Sequence, residues 1–290
     1  MKKVISLVLG VGILVCGSLT GCGSSGQTAS TSSDTTGTAD NPKTVEIAIL
    51  TGMAPYTYVD SDGSYKGYDY EFLTMVDDML PEYEFHYNAV EPDAAAAAVQ
   101  AGTYALSCSA HFITPAREEN FILSYPQSYY PVNLISRKED SFTKFEDLNG
   151  KSIVPDPPND GLYVVLHKME EENPDIKPIE EEVSNYIPYA DCCKQVSNGQ
   201  YDCWFGGDTM FNDVMAAQPM DNLYCSEPIY CAGCVVVLNK NYTDLRDKIN
   251  ESIVKLYKDG KLSELSKKWL GKDVWEIAKN TGALDEVFTK

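Results

Sequence analysis

Arg117, which closes the run Thr114-Pro115-Ala116-Arg117, carries the side chain best suited to recognising a carboxylate. A guanidinium is a rigid fork of donors that a carboxylate fills bidentately. The bland alternative is a surface residue behind a helix start, because Glu118 and Glu119 follow it. Bond-breaking chemistry is harder to find: there is no Ser/His/Asp set and no phosphate-cradling glycine loop. The three histidines, His86, His111 and His167, are scattered, and Cys231-Ala232-Gly233-Cys234 is a lone C-x-x-C with no histidine near it. No metal site and no cofactor are expected from such spacing. His111 without a placed partner reads as structural.

The chain has 290 residues, 43% hydrophobic and 23% charged, enough for two packed units and typical of a soluble body. Its 23 basic against 43 acidic residues give a net charge of −20, which would repel nucleic acid. Met1-Lys2-Lys3 followed by the apolar run 4–15 is a signal-peptide pattern, too short to span a bilayer. It ends in Leu19-Thr20-Gly21-Cys22. Residues 23–43, rich in Ser, Thr and Gly, cannot offset the entropy of folding and read as a flexible tether. Nine cysteines less Cys16 and Cys22 leave seven, an odd number, several in apolar surroundings such as Cys203 before Trp204. Mostly free thiols are expected, with a bridge within 225–234 left open.

The elements that would position Arg117 alternate. Residues 45–50 and 83–90 read as strands, 70–80 as a helix, 93–101 as a helix begun by Asp93, and 104–107 as another strand. Further on come a strand at 152–154, a turn at 155–158 and a helical pattern to about 171. Glu170–Glu172 and Glu180–Glu182 read as solvated charge. Leu245, Ile249, Ile253 and Leu256 share one helical face, Asp259-Gly260 stops it, and Leu262, Leu265 and Trp269 continue to Gly271. This alternation predicts an α/β fold with a largely parallel sheet.

Four segments in order resemble the extracellular solute-binding proteins of family 3, over about residues 44–275. They are Ala54-Pro55-Tyr56-Thr57-Tyr58 with Gly67-Tyr68-Asp69; Phe112-Ile113-Thr114-Pro115-Ala116-Arg117 with Leu123-Ser124-Tyr125-Pro126; Phe145-Glu146-Asp147-Leu148-Asn149-Gly150-Lys151; and the closing stretch 245–271. Leu19-Thr20-Gly21-Cys22 likewise resembles a lipobox, implying cleavage after residue 21 and lipidation of Cys22. Cleavage removes two lysines and no acid, leaving −22.

The resemblance implies a type II periplasmic-binding-protein fold with lobe one at 44–132 and 234–290, lobe two at 133–233, and a ligand cleft between them. It implies a monomeric, lipid-anchored binding component on the outer face of the membrane that delivers an amino acid or similar carboxylate-bearing solute to an ABC permease. A dehydratase-like enzyme on the same fold and a solute-sensing lipoprotein are the alternatives. Arg117 would clamp the ligand carboxylate with Thr114 beside it, while Tyr56 and Met53 would line the cleft. Where relatives often carry a small hydroxyl residue stands Phe112, and their glycine-threonine turn is replaced by Pro158-Asn159-Asp160-Gly161, so that Asn159 and Asp160 take its place. The amine-binding acid falls on Asp208, one residue later than in the family pattern.

Overall fold

The computed structural model describes residues 37–158 and 160–289. The leader, Cys22 and Asn159 lie outside the described residues. The folded body starts slightly before the expected tether ends, because a turn joins Thr38 to Asn41 and Lys43 already belongs to the first strand.

The chain begins with β1 (Lys43–Leu50), a two-stranded hairpin of β2 (Tyr58–Val59) and β3 (Tyr65–Lys66), then α1 (Tyr68–Asp77), β4 (Tyr83–Val90) and α2 (Pro92–Gln100). It continues through β5 (Leu106–Phe112), the short α3 (Pro115–Asn120) and the 16-residue β6 (Ile122–Arg137). Next come α4 (Gly161–Glu172), α5 (Tyr189–Ser197), β7 (Cys203–Gly206), α6 (Asp208–Ala217) and β8 (Leu223–Cys225). β9 (Tyr230–Leu238) precedes three helices, α7 (Thr243–Lys258), α8 (Lys261–Leu270) and α9 (Val274–Asn280).

One mixed sheet runs in the order β4-β1-β5-β9-β6-β7, with β8 also on β6. Only β4, β1 and β5 pair in parallel, and every pairing of β6 and β9 is antiparallel. The expectation of a largely parallel sheet is therefore corrected. β6 and β9 are long strands that return antiparallel to each other, a pairing that helix-strand alternation in the sequence does not encode. β6 pairs with β9 from Ile122 to Val132, then with β7 and β8 from Asn133 to Arg137.

Three boundaries also move. α2 starts at Pro92 with Glu91 at the cap position, not at Asp93, because proline's fixed φ and missing N–H suit the first helical turn. The strand expected at 104–107 runs from Leu106 to Phe112. Ser152 and Ile153 make only isolated bridges, to Ile179 and Cys203.

The main core packs α1, α7, α8 and α9 on the sheet, with Tyr129, Tyr257 and Phe288 around the buried Trp275 at ring distances of 5.0–5.1 Å. The apolar face of α7 is buried as its spacing predicts, and Gly260 and Gly271 adopt left-handed φ of +73° and +70° at the stops. A second cluster, around Trp204, Cys192, Cys193 and Phe211, fills the space between β7, α5 and α6.

The seven cysteines of the described body are free, and six are buried. No disulfide joins residues of the 225–234 stretch, so the bridge left open there does not form. Burial pushes every thiol up, Cys193 to about 11 and Cys225 and Cys231 to about 12. Titration of the body with a thiol reagent in denaturant, without reductant, is expected to find seven reactive thiols per chain, and two or more bridges would contradict the packing.

Candidate functional site

The route to Arg117 starts at a buried acid. Asp69, in the first turn of α1, is fully shielded from solvent. Its Oδ2 accepts the Ala110 N–H at 2.8 Å and its Oδ1 accepts from the Gln127 amide at 2.7 Å. Ala110 has a φ of +47°, which costs an L-residue about 1–3 kcal/mol and persists only where its surroundings enforce it. The pairing of β5 with β9 shifts register across Ser107 to His111. The carboxylate thus holds a bulge that re-aims the end of β5.

Beyond the bulge, Phe112 and Thr114 are buried. The Thr114 hydroxyl accepts the Arg117 backbone N–H at 3.2 Å and so caps α3. Arg117 Nη1 donates to the Phe112 carbonyl at 2.8 Å. Its half-buried guanidinium makes no ion pair within 4 Å among the described residues. Desolvation holds its pKa below the ordinary arginine value, opposed by the charge of nearby Asp160.

Asp160 caps α4 by accepting from the Leu162 N–H at 2.8 Å. Gly161 follows, and a Cβ there would lie 1.9 Å from the Phe112 ring. Only glycine permits that approach. Phe112 also meets the Tyr130 ring edge-on at 5.1 Å, and a Cβ on Gly207 would lie 2.3 Å from the Tyr130 hydroxyl. Tyr56 is buried, its phenol raised first by desolvation and then by Tyr130. Met53 sits nearer solvent and bridges Thr57. Arg117 and Phe112 therefore approach Asp160 and Gly161 from the β5 side.

Asp208 is placed differently. Its carboxylate is ion-paired with Lys272, just past α8, and its backbone N–H donates to Asn133 Oδ1 at 3.1 Å. An ammonium from the protein already occupies the acid that the sequence pattern assigns to a ligand amine.

His111 bonds Ser107 Oγ at 3.0 Å, and burial holds its imidazole down to about 3. It remains neutral, in keeping with a structural role. Ser109 is likewise engaged, with the Thr57 hydroxyl at 2.8 Å. Asp156, which sequence reasoning placed in a turn and passed over, is half-buried without a hydrogen-bond partner among the described residues. Desolvation, then Asp160 and Glu180, push it up to about 7. It acts electrostatically on Tyr186 and Tyr189, whose rings meet edge-on at 5.4 Å. Two open surface hollows of about 660 and 710 Å³ lie elsewhere, beside Tyr125 and Asn250 and beside Arg137 and Asn222, and share none of these residues.

The sequence over residues 45–272 matches the model of the bacterial extracellular solute-binding proteins, family 3. The chain belongs to this family. The L-cystine-binding protein TcyK of Bacillus subtilis (strain 168) is 25% identical over 251 residues, covering 83% of this chain and 89% of that protein. Among solved structures, the probable amino-acid ABC transporter extracellular-binding protein ytmK from Bacillus subtilis superposes with a TM-score of 0.65 at 22% identity, covering 80% of this chain and 100% of that one. The L-cystine solute receptor of Neisseria gonorrhoeae in the unliganded open conformation gives 0.58 at 20% identity, over 81% and 96%. At these identities the structures establish the fold, which is that of the type II periplasmic binding proteins.

A family 3 protein has an extracytoplasmic solute-binding role, and no helix among the described residues is long and apolar enough to cross a membrane.

Asp69 offers a measurable consequence. Desolvation pushes its carboxyl up to about 7, against the hydrogen bonds from Ala110, Gln127 and Cys108. An unfolded aspartate titrates near about 3.9, so this proton stabilises the fold fully below about pH 4 and the contribution is lost as pH rises through about 7. His111 acts in the opposite sense below about pH 6.5, so the comparison is between wild type and Asp69→Asn, whose carboxamide does not titrate. Urea midpoints at pH 5 and 7.5 are expected to show the variant losing less stability on going to the higher pH. Equal losses would remove Asp69 as a source of pH dependence.

Proposed function

We propose that this protein is the lipid-anchored, monomeric binding component of an ABC importer and that it binds an amino acid with its carboxylate on Arg117 and its amine towards Asp160. The observation carrying this reading is the guanidinium itself: partly desolvated, tied to the protein by one hydrogen bond to a carbonyl, and under the charge of Asp160 without an ion pair among the described residues. Desolvating a charged group is costly unless it is paired, so a zwitterion that satisfies both Arg117 and Asp160 gains at each end. A simple carboxylate would satisfy the arginine but meet the acid unaccompanied.

In this reading Cys22 carries the anchor and residues 23–43 the tether, while lobe one (44–132 and 234–290) and lobe two (133–233) close on the solute. The partner change of β6 at Val132 to Asn133 and the contact of Phe112 with Gly161 support that division. Thr114, Phe112, Tyr56, Met53 and Asn159 would shape the pocket, and no catalytic step is assigned. The relative TcyK bears the name of an L-cystine-binding protein, which makes L-cystine the first amino acid to test.

A thermal-shift panel of amino acids, dipeptides and small organic acids should raise the melting temperature only for compounds bearing a carboxylate, because a ligand specific to the folded state stabilises it. Shifts confined to compounds without one would reject the reading. With the ligand so found, Arg117→Ala should weaken binding at least about tenfold by calorimetry, on the 1.5–3 kcal/mol typical of a charged hydrogen bond. Asp160→Asn, which keeps a helix-capping side chain, should weaken it more than Asp208→Asn. The reverse order would return the amine to Asp208.

A further inference from the structure

We propose that His167, Glu170 and Glu180 form a binding site for a zinc-like divalent transition-metal ion on the flank of α4. The residues come from α4 and from the segment after it, and were legible in sequence only as a scattered histidine and two runs of solvated acid. In the fold the three are half-buried. One ligand atom from each lies within 4.8 Å of the other two, with His167 Nε2 at 3.9 Å from Glu170 Oε2 and 3.9 Å from Glu180 Oε1.

The histidine's hydrogen bonding points to a cation. His167 Nδ1 lies 3.0 Å from the Tyr163 carbonyl oxygen. A carbonyl only accepts, so Nδ1 carries the hydrogen. In the neutral ring Nε2 is then a bare lone pair, and it faces two carboxylate oxygens. Three acceptors pointed at one another repel unless a positive species lies between them. Among the described residues no lysine or arginine forms an ion pair with Glu170 or Glu180. The outer-shell bond that fixes ring and tautomer, here Nδ1–H to a main-chain oxygen, is the arrangement metal-ligating histidines adopt. Stacking of the Tyr163 ring on the imidazole at 4.0 Å holds it in place.

Size and donor type select the ion. Zinc bonds of about 2.0–2.2 Å to nitrogen and carboxylate oxygen imply tetrahedral ligand-to-ligand edges of about 3.3–3.6 Å, so the two histidine–carboxylate edges of 3.9 Å and the carboxylate–carboxylate edge, within 4.8 Å, close by side-chain rotation. Imidazole favours zinc and its neighbours over magnesium or calcium. The side chains retain 38%, 15% and 23% exposure, which leaves one side open for water as a fourth ligand. Glu180 follows Ile179, whose N–H donates to the Lys151 carbonyl at 2.8 Å. A bound ion would therefore pin α4, which begins beside Asp160 and Gly161, to the strand-like segment next to it.

The competing occupant is a proton, either on His167 or shared by the carboxyls. Tag-free protein stripped with chelator and titrated with zinc chloride at pH 7.5 separates the two. The site predicts one saturable equivalent and a raised melting temperature, with no comparable shift from magnesium or calcium. Cobalt(II) should give visible absorption that zinc displaces. His167→Gln and Glu180→Gln should each weaken zinc by more than the roughly 10- to 100-fold that loss of an outer-shell partner costs. His86→Gln, at an exposed histidine with acidic neighbours Glu46 and Glu84, should leave it unchanged. Metal-free melting curves of the variants check their folding. Absence of saturable zinc binding, binding unaffected by both the His167 and Glu180 variants, or equal stabilisation by calcium would overturn the proposal.

Discussion

The carboxylate of Asp69 is the contact on which the rest of this site is built. It is buried, it accepts the N–H of an alanine in left-handed backbone, and it holds β5 in a bulge just where that strand leaves the sheet. Without the bulge, the strict alternation of side chains along a strand would continue and redirect the residues that follow. Phe112, the cap of α3 at Thr114 and the guanidinium of Arg117 all inherit their direction from this bond. Burying an acid is costly, and the raised pKa records that cost, but it secures a backbone conformation that no side-chain packing alone would impose.

A second group of contacts ties the β5 side to the part of the chain reached when β6 changes partners. Two glycines, Gly161 and Gly207, let the rings of Phe112 and Tyr130 lie directly on main chain, and Asp208 reaches Lys272. Aromatic-on-glycine contact is apolar and tolerates sliding, whereas an ion pair is directional. Together they bring Arg117 within electrostatic reach of Asp160 without joining the two into a salt bridge.

Much of this was legible in the sequence, and the remainder fails for identifiable reasons. The helical face of Leu245, Ile249 and Ile253, the glycine stops and the strand at 45–50 follow from local periodicity. The antiparallel pairing of β6 with β9 joins segments about a hundred residues apart, which no local pattern reports. Asp69 was legible as part of a motif, but its bond to Ala110 spans 41 residues of sequence. Asp208 was carried over from the family resemblance, one residue out of its pattern, and a resemblance cannot show that Lys272 from the chain's end arrives to pair with it. Asp156 was passed over because proline-rich turns usually place their acids in water. The acids at 170 and 180 were read as solvated because they stand in runs of like charge, and the fold instead places them against His167.

The seven cysteines carry a further implication. A thiol attacks a disulfide only as its thiolate, and burial suppresses that form in every one of these side chains. A protein working outside the cytoplasm meets oxidants and small disulfides continually. With six of the seven sulfurs buried and the thiolate form disfavoured in all of them, burial works against mixed-disulfide formation in the folded state. It can keep reduced thiols as core packing in an oxidising compartment, and a sulfur-containing solute could be bound and released without exchanging bonds with its carrier.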